Sequence, residues 1–254
     1  MSSIQRPHQA QEIESILQTR LRVFTESDGR LPSENDLAKE FAVSRVTIRE
    51  ALSSLERRGL VFRKHGIGTF VNSNAVNIRS RLDESIEFGQ LIRAANYEPE
   101  LGFLDCQVES ANLEIATHLQ IEPEEAVLCI RKVFKANGTS VIYCMNAVPA
   151  SIAPNEFKTH LASNVNPELS IYSVLERWFN QRVAFQLSDV SACLAGDEIG
   201  AMLNCLPTNA LLHLEDIGYN SGQLPVLYAN VYYIPGLIQF QLVRKPIYAL
   251  EGPT

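Results

Sequence analysis

No apolar run in this 254-residue chain approaches the roughly 20 residues needed to span a bilayer, which argues against a membrane-spanning helix. The opening stretch MSSIQRPHQAQEIE lacks the apolar centre of a secretory signal, so a cytoplasmic location is expected. Cysteine is sparse: Cys106, Cys129, Cys144, Cys193 and Cys205 are odd in number, widely spaced and without a Cys-x-x-Cys pair. That pattern fits reduced thiols acting as small buried hydrophobes, not a disulfide framework or a metal site. Internal repeats and low-complexity tracts are missing as well. Nor does any of His8, His65, His118, His160 and His213 stand at motif spacing from a nucleophile or carboxylate. His213 and Glu215 share one face of an expected strand, an arrangement ordinary in strands. No catalytic residue, cofactor or metal is therefore expected.

What is present is uneven. The net charge of −7 divides into +2 over residues 1–75 (11 Lys/Arg, 9 Asp/Glu) and −9 over the remainder (11 and 20). Between Val43 and His65, six basic residues face only Glu50 and Glu56. Because salt screens charge beyond about 10 Å, this local balance decides whether phosphate is attracted. The acidic remainder should stay off a duplex. With 46% hydrophobic residues, one or two domains can each bury a core.

Residues 11–24 carry Ile13, Ile16, Leu17, Leu21 and Phe24 at helical spacing. Ser33 is placed to cap a second helix whose inner face is Leu37, Ala38 and Phe41. Ser44 caps a third, with Ile48, Ala51, Leu52 and Leu55 turned inward and Arg45, Arg49 and Ser53 on another, free edge. Gly59 ends it, and Leu60–Lys64 and Thr69–Val71 flank the tip His65-Gly66-Ile67-Gly68. Two helices at a sharp turn followed by a basic hairpin form a device for entering DNA grooves. Arg45 and Arg49 are placed to fork onto guanine, and Ser44 and Thr47 suit phosphate oxygens.

LPSENDLAKEFAVSRVTIREALSSLERRGLVFRKHGIGTFV resembles the winged helix-turn-helix of the GntR family of bacterial transcription regulators, over about residues 10–72. The resemblance implies base reading by Arg45 and Arg49, phosphate contacts from Ser44 and Thr47, and a His65-Gly66 tip in the minor groove. Asn35 stands where the family often carries a charged residue near the DNA backbone.

Residues 72–77 read as a linker, giving expected divisions of 1–72 for the DNA-binding domain, 73–80 for the linker and 81–250 for a second domain. There a helix is expected over 81–95. Strands are expected at 101–110, 126–135, 140–148, 183–192, 211–219 and 226–234, with Asn137-Gly138 as a hairpin turn. Short helices near 112–119, 171–179 and 197–203 complete an α+β pattern on an antiparallel sheet.

This part is similar to the UTRA effector domain of the HutC subfamily, which shares its fold with chorismate lyase. The likeness rests on KVFKANG at Lys132–Gly138, Ser170-Ile171-Tyr172, Leu224-Pro225-Val226 and Phe240-x-x-x-Arg244. It implies a ligand site at Lys132, Phe134, Cys144, Ser170, Tyr172 and Tyr228. Lys132 and Ser170 would form an anion-holding end. Phe134 replaces a second basic residue, and Cys144 and Leu227 replace two sugar-binding Glu. The expected protein is a dimeric repressor of double-stranded operator DNA, released by a small anionic effector. An enzyme of the lyase-like fold and an effector-independent DNA binder are the alternatives.

Overall fold

The computed structural model describes residues 5–153 and 170–244. The expected domain end at residue 250 and His160 lie outside the described residues, as does the side chain of His8. The chain divides into two compact units, one of residues up to Asp83 together with those from Gln241 onward, the other of Glu84–Phe240.

In the first unit, α1 (Gln5–Thr25), α2 (Glu34–Glu40) and α3 (Arg45–Arg57) pack around one core. The expected stripe of α1 is buried at Ile13, Leu17 and Leu21 and meets Leu37, Ile48, Leu52 and Leu55. Leu17, Leu21, Leu37, Ile48 and Leu55 are fully excluded from solvent, each contributing about 1.5–3 kcal/mol of burial. Both expected caps form: Ser33 accepts from the Asp36 amide and Ser44 from the Thr47 amide. The turn between α2 and α3 passes through Ala42 in the left-handed conformation, φ 51°. Strands β1 (Val61–Lys64) and β2 (Gly68–Val71) pair antiparallel as the wing. Arg30-Leu31 adds an edge, with the Leu31 amide bonded to the Thr69 carbonyl and Arg30 bridged to Phe70.

The polar stretch read as a linker folds instead into α4 (Ser73–Val76), which buries Ala75 and Val76 in this core. After it, the Gln241 amide bonds the Ser80 carbonyl, and the Leu82 amide bonds the Gln241 carbonyl. This long-range pairing takes up backbone groups a helix would need. The helix expected from residue 81 accordingly begins only at Phe88, as α5 (Phe88–Ala94).

The second unit is built on β3 (Pro99–Ser110), β4 (Ala126–Ala136), β5 (Thr139–Pro149), β6 (Phe185–Leu194), β7 (Ala210–Tyr219) and β8 (Pro225–Tyr233). They form one antiparallel sheet in the order β3-β4-β5-β8-β7-β6, so the α+β expectation holds. Asn137 (φ 48°) and Gly138 (φ 80°) turn the β4–β5 hairpin, both left-handed as a type I′ turn requires. On one face α7 (Ile171–Phe179) packs Val174, Leu175 and Phe179 onto Leu128, Ile130, Val148 and Leu227. The opposite face carries α6 (Leu113–Leu119), over Val127, Cys129, Ala147 and Tyr228. There, too, α8 (Gly196–Leu203) sets Leu203 against Val133, Tyr143 and Leu211. Central strands β4, β5 and β8 are therefore buried on both faces, which is why they read as near-continuous apolar runs.

Candidate functional site

In the first unit Arg45 and Arg49 stand exposed on the first two turns of α3, one above the other, with side chains 58% and 55% accessible. Glu34, on the first turn of α2, reaches across to both. Its carboxylate accepts from Arg49 Nε at 3.3 Å and NH2 at 3.0 Å, and lies 3.6 Å from Arg45 NH2. These arginines, Arg49 foremost through its hydrogen bond, hold the Glu34 carboxyl below the usual range. The pair draws both guanidinium groups toward the start of α2 at the exposed helix surface. Spacing alone did not reveal Glu34, because the contact comes from the crossing of two helices.

The wing is locked to α3 by Arg63, whose NH2 donates to Ser53 Oγ at 3.0 Å and whose NH1 lies 3.5 Å from Glu56. Arg30 braces the tip by donating to the Ile67 carbonyl at 2.7 Å. At that tip His65 and Gly66 are exposed, and Gly66 (φ 70°) has nothing within 4 Å of where a Cβ would sit. Lys64 lies 4.6 Å above the Phe70 ring. Asn35 is exposed on α2. Ser44 and Thr47 are placed differently from one another: Ser44 is exposed, whereas Thr47 is 3% accessible, and their hydroxyls bond each other at 2.8 Å. The Thr47 hydroxyl thus closes the helix start, leaving Ser44 as the outward-facing group.

In the second unit the strand register sorts the other expected residues onto faces. Lys132 is opposite Cys144, which is opposite Val231, which is opposite Leu214. The next row is Ile130, Asn146, Ala229 and Asp216. Lys132, Phe134 and Cys144 therefore share one face, the face under α7. Lys132 Nζ lies 5.7 Å from the centre of the Phe134 ring. Ser170 caps α7 by accepting from the Tyr172 amide at 3.0 Å, is 4% accessible, and bonds Glu87. Tyr172 donates to Gln186 Oε1 at 2.5 Å. An open groove of about 310 Å³ lies beside it, between Ser85, Glu176, Arg182 and Gln186.

Tyr228 does not join this group. It is one residue past Leu227, and a strand alternates sides, so its ring lies on the opposite face under α6. There its hydroxyl is 2.5 Å from Glu114 Oε1 and 2.6 Å from Glu215 Oε1, and accepts from Asn230 Nδ2 at 3.0 Å. His118 stacks on its ring at 4.7 Å and lies 3.1 Å from Glu215. A phenol has one proton, so the Tyr228 hydroxyl donates to one of these two carboxylates at a time. Tyr233 is the tyrosine that faces Phe134 and Cys144. It is nearly enclosed, and burial lifts its phenol well above the ordinary value.

Two carboxyls escaped the sequence reading, Glu87 in the field of Lys132 and Asp216 three strands away on the same sheet face. Glu87, just before α5, is raised by burial, against the lowering influence of Ser170 and Lys132. Asp216, on β7, is raised by burial against hydrogen bonds from Ser188 and Gln186. Its Oδ1 is buried with no hydrogen-bond partner. Neither carries a motif; only register and packing place them there. Among the described residues, no three His, Cys, Asp or Glu side chains are grouped to hold a metal, and no helix is long and apolar enough to cross a membrane.

A winged helix-turn-helix with a forked arginine pair, on the same chain as a sheet domain carrying buried polar side chains such as Lys132, Ser170 and Asp216, defines the class of ligand-responsive transcriptional regulators. Residues 9–71 match the bacterial regulatory proteins of the gntR family, and residues 94–236 match the UTRA domain. The chain belongs to the GntR family of transcriptional regulators, in the group whose second domain is UTRA. It is 25% identical over 208 residues to the HTH-type transcriptional regulator GmuR of Bacillus subtilis, covering 80% of this chain and 83% of that one. It is 29% identical to the transcriptional repressor NagR of the same organism over 59% of each chain. The fold matches YydK of B. subtilis with a TM-score of 0.65 at 21% identity, covering 93% and 99% of the two chains. It matches PhnF of Mycobacterium smegmatis with a TM-score of 0.54 at 20% identity, covering 88% and 96%. The family is one of bacterial regulatory proteins, and GmuR and NagR are named as a transcriptional regulator and a transcriptional repressor, not as enzymes.

Proposed function

We propose that this regulator is a homodimeric repressor, released from its operator when an anionic metabolite binds at Lys132 and Ser170. The observation that carries this reading is the burial of Lys132 (5% accessible) and Ser170 (4%) on one sheet face, at the N-terminus of a nine-residue helix. A helix start favours anions, and Lys132 adds a buried positive charge on the sheet face beneath it. In the other unit, Arg45, Arg49 and the His65-Gly66 tip read bases and grooves, while Ser44 and Asn35 meet the backbone.

Dimerisation would set two such heads on inverted half-sites about one helical turn apart. Edge strand β6 supports it: Phe185, Leu187, Val190 and Leu194 are all exposed, and proteins rarely leave an apolar strand edge unpaired. A second copy of this chain is the occupant proposed, and Leu187→Lys should shift sedimentation toward the monomer.

The decisive experiment takes operator DNA selected by the wild-type protein from random duplexes. Phosphorylated and carboxylated metabolites are screened by thermal shift, and each stabilising compound is then added to the protein–operator complex. Release from DNA in wild type, and none in Lys132→Met at unchanged operator affinity, is expected. Stabilising compounds that act equally on Lys132→Met, or that leave operator affinity unchanged, refute the proposal.

A further inference from the structure

The wing has an inner face turned to the helices and an outer one that is open. Val61 and Val71 are buried in the core of the DNA-binding unit, and Arg63 bonds Ser53 and Glu56 of α3. Phe62, Lys64, Gly68 and Phe70 alternate with these residues, so they belong to the outer face. Arg30 joins them, because it bridges Phe70 and residues directly opposite share a face. There Phe62 and Phe70 stack with ring centroids 6.0 Å apart, and Phe62 is 41% exposed.

Both cations on this face are held in place. Arg30 NH2 donates to the Ile67 carbonyl at 2.7 Å, and its guanidinium lies along Gly68, where a Cβ would stand 3.2 Å from Nε. Gly68, at φ 144°, leaves that space free. Lys64 Nζ lies 4.6 Å from the centre of the Phe70 ring and 5.7 Å from that of Phe62. Arg20, Arg45, Arg49, Arg58 and Arg63 of the same unit each have a carboxylate partner. Among the described residues Arg30 and Lys64 have none, and Asp28, two residues before Arg30, accepts from its backbone N–H. Two like charges kept on one face repel each other, and an anion beside each would offset that.

We propose that the outer face of the wing is a phosphate-binding surface, on which Arg30 and Lys64 each take a phosphate of the operator strand beside the groove that the tip enters. This rests on the reading of the His65-Gly66 tip as a groove contact. Arg30 is tied to that tip through Ile67, so its charge travels with it to the duplex. Because both cations are already held, less ordering is paid for on contact. Phosphate contacts carry no sequence information, and here they set how deeply the wing sits.

The test uses the full chain and the operator selected from random duplexes, with affinity read by fluorescence anisotropy between about 50 and 200 mM salt. Melting curves run beside each variant separate a lost contact from a lost fold. Arg30→Gln, which can still donate to Ile67, and Lys64→Gln should each weaken binding about five- to tenfold at about 0.1 M salt, equally for every base variant of the operator. Each should flatten the slope of log K against log salt by about 0.9, and the double variant by about 1.8. Arg30→Lys keeps the charge and should keep the slope. Lys135→Gln removes the same charge from β4 and should bind as wild type. Wild-type slopes in both glutamine variants overturn the proposal, as does an equal flattening by Lys135→Gln. A loss confined to particular base pairs overturns it too, because phosphate contacts are blind to sequence. A flattened slope in Arg30→Lys makes Arg30 a brace of the tip and ends its phosphate role. His65→Ala tests the underlying reading separately. Discrimination lost there, with wild-type slopes in the glutamine variants, rejects the outer face alone; wild-type behaviour in all of them removes the whole wing from the interface.

Discussion

Replacing Arg49 by lysine separates base reading from charge. Arg49 presents its guanidinium on the first turns of α3, with Glu34 holding Nε and NH2 at 3.3 and 3.0 Å. That grip is exposed and therefore weak, so under the proposed base readout a guanine edge offering two acceptors in a drier groove would displace it. A lysine keeps the positive charge but cannot make two parallel bonds. Discrimination at one position of each half-site should fall about 5- to 150-fold, the range for losing one bidentate contact. Non-specific binding and the slope of log K against log salt should stay near wild type, since no phosphate contact is removed. The assay is fluorescence anisotropy with the selected operator and every single-base variant of it, at several salt concentrations. Wild-type discrimination at all positions in Arg49→Lys would refute base readout by this residue. Loss of affinity that is uniform across sequences, with a shallower salt slope, would make Arg49 a phosphate contact.

The remaining predictions concern stability. Ala42 holds a left-handed φ of 51° in the turn between the reading helices, so Ala42→Gly should stabilise the DNA-binding unit by about 0.5–1 kcal/mol in urea melts. A destabilised variant would show that the Ala42 methyl does more than strain the turn. Burial raises Asp216 above its ordinary range, so the folded state holds that proton more tightly than the unfolded chain. Its contribution is favourable below the unfolded pKa and is lost as pH rises through the folded one. Asp216→Asn should therefore gain on the wild type as pH rises above the ordinary aspartate value of about 3.9, and a difference that stays constant on raising pH from there contradicts the placement. Tyr228→Phe strips the shared donor from Glu114 and Glu215 and should cost about 1–3 kcal/mol, with no loss of binding at Lys132 on the other face. A loss of ligand response would return Tyr228 to the site.

How much was legible follows from the range of each signal. Ser33, Ser44 and Ser170 cap helices through bonds to amides two or three residues away, and Asn137-Gly138 turns its hairpin through its own dihedral angles. The α1 stripe and the inner face of α3 repeat at helical spacing. Such signals need no knowledge of the rest of the chain. The polar 72–77 stretch misled because Ala75 and Val76, only two apolar residues, found a core to enter. The helix expected from residue 81 was shortened by Gln241, some 160 positions away.

By itself, then, the sequence determined the reading head: two capped helices, a basic edge and a wing are local features, close together in the chain. It also determined that an antiparallel sheet with a few helices follows. The tertiary structure decided which residues meet. Strands β5 and β8 are apolar on both sides, so alternation could not tell the Lys132 face from the α6 face, and one step of register carried Tyr228 away and brought Tyr233 in. Helix crossing gave Arg45 and Arg49 to Glu34, and sheet order set Asp216 on the same face as Lys132. Those contacts join residues far apart in the chain, and only packing can bring them together.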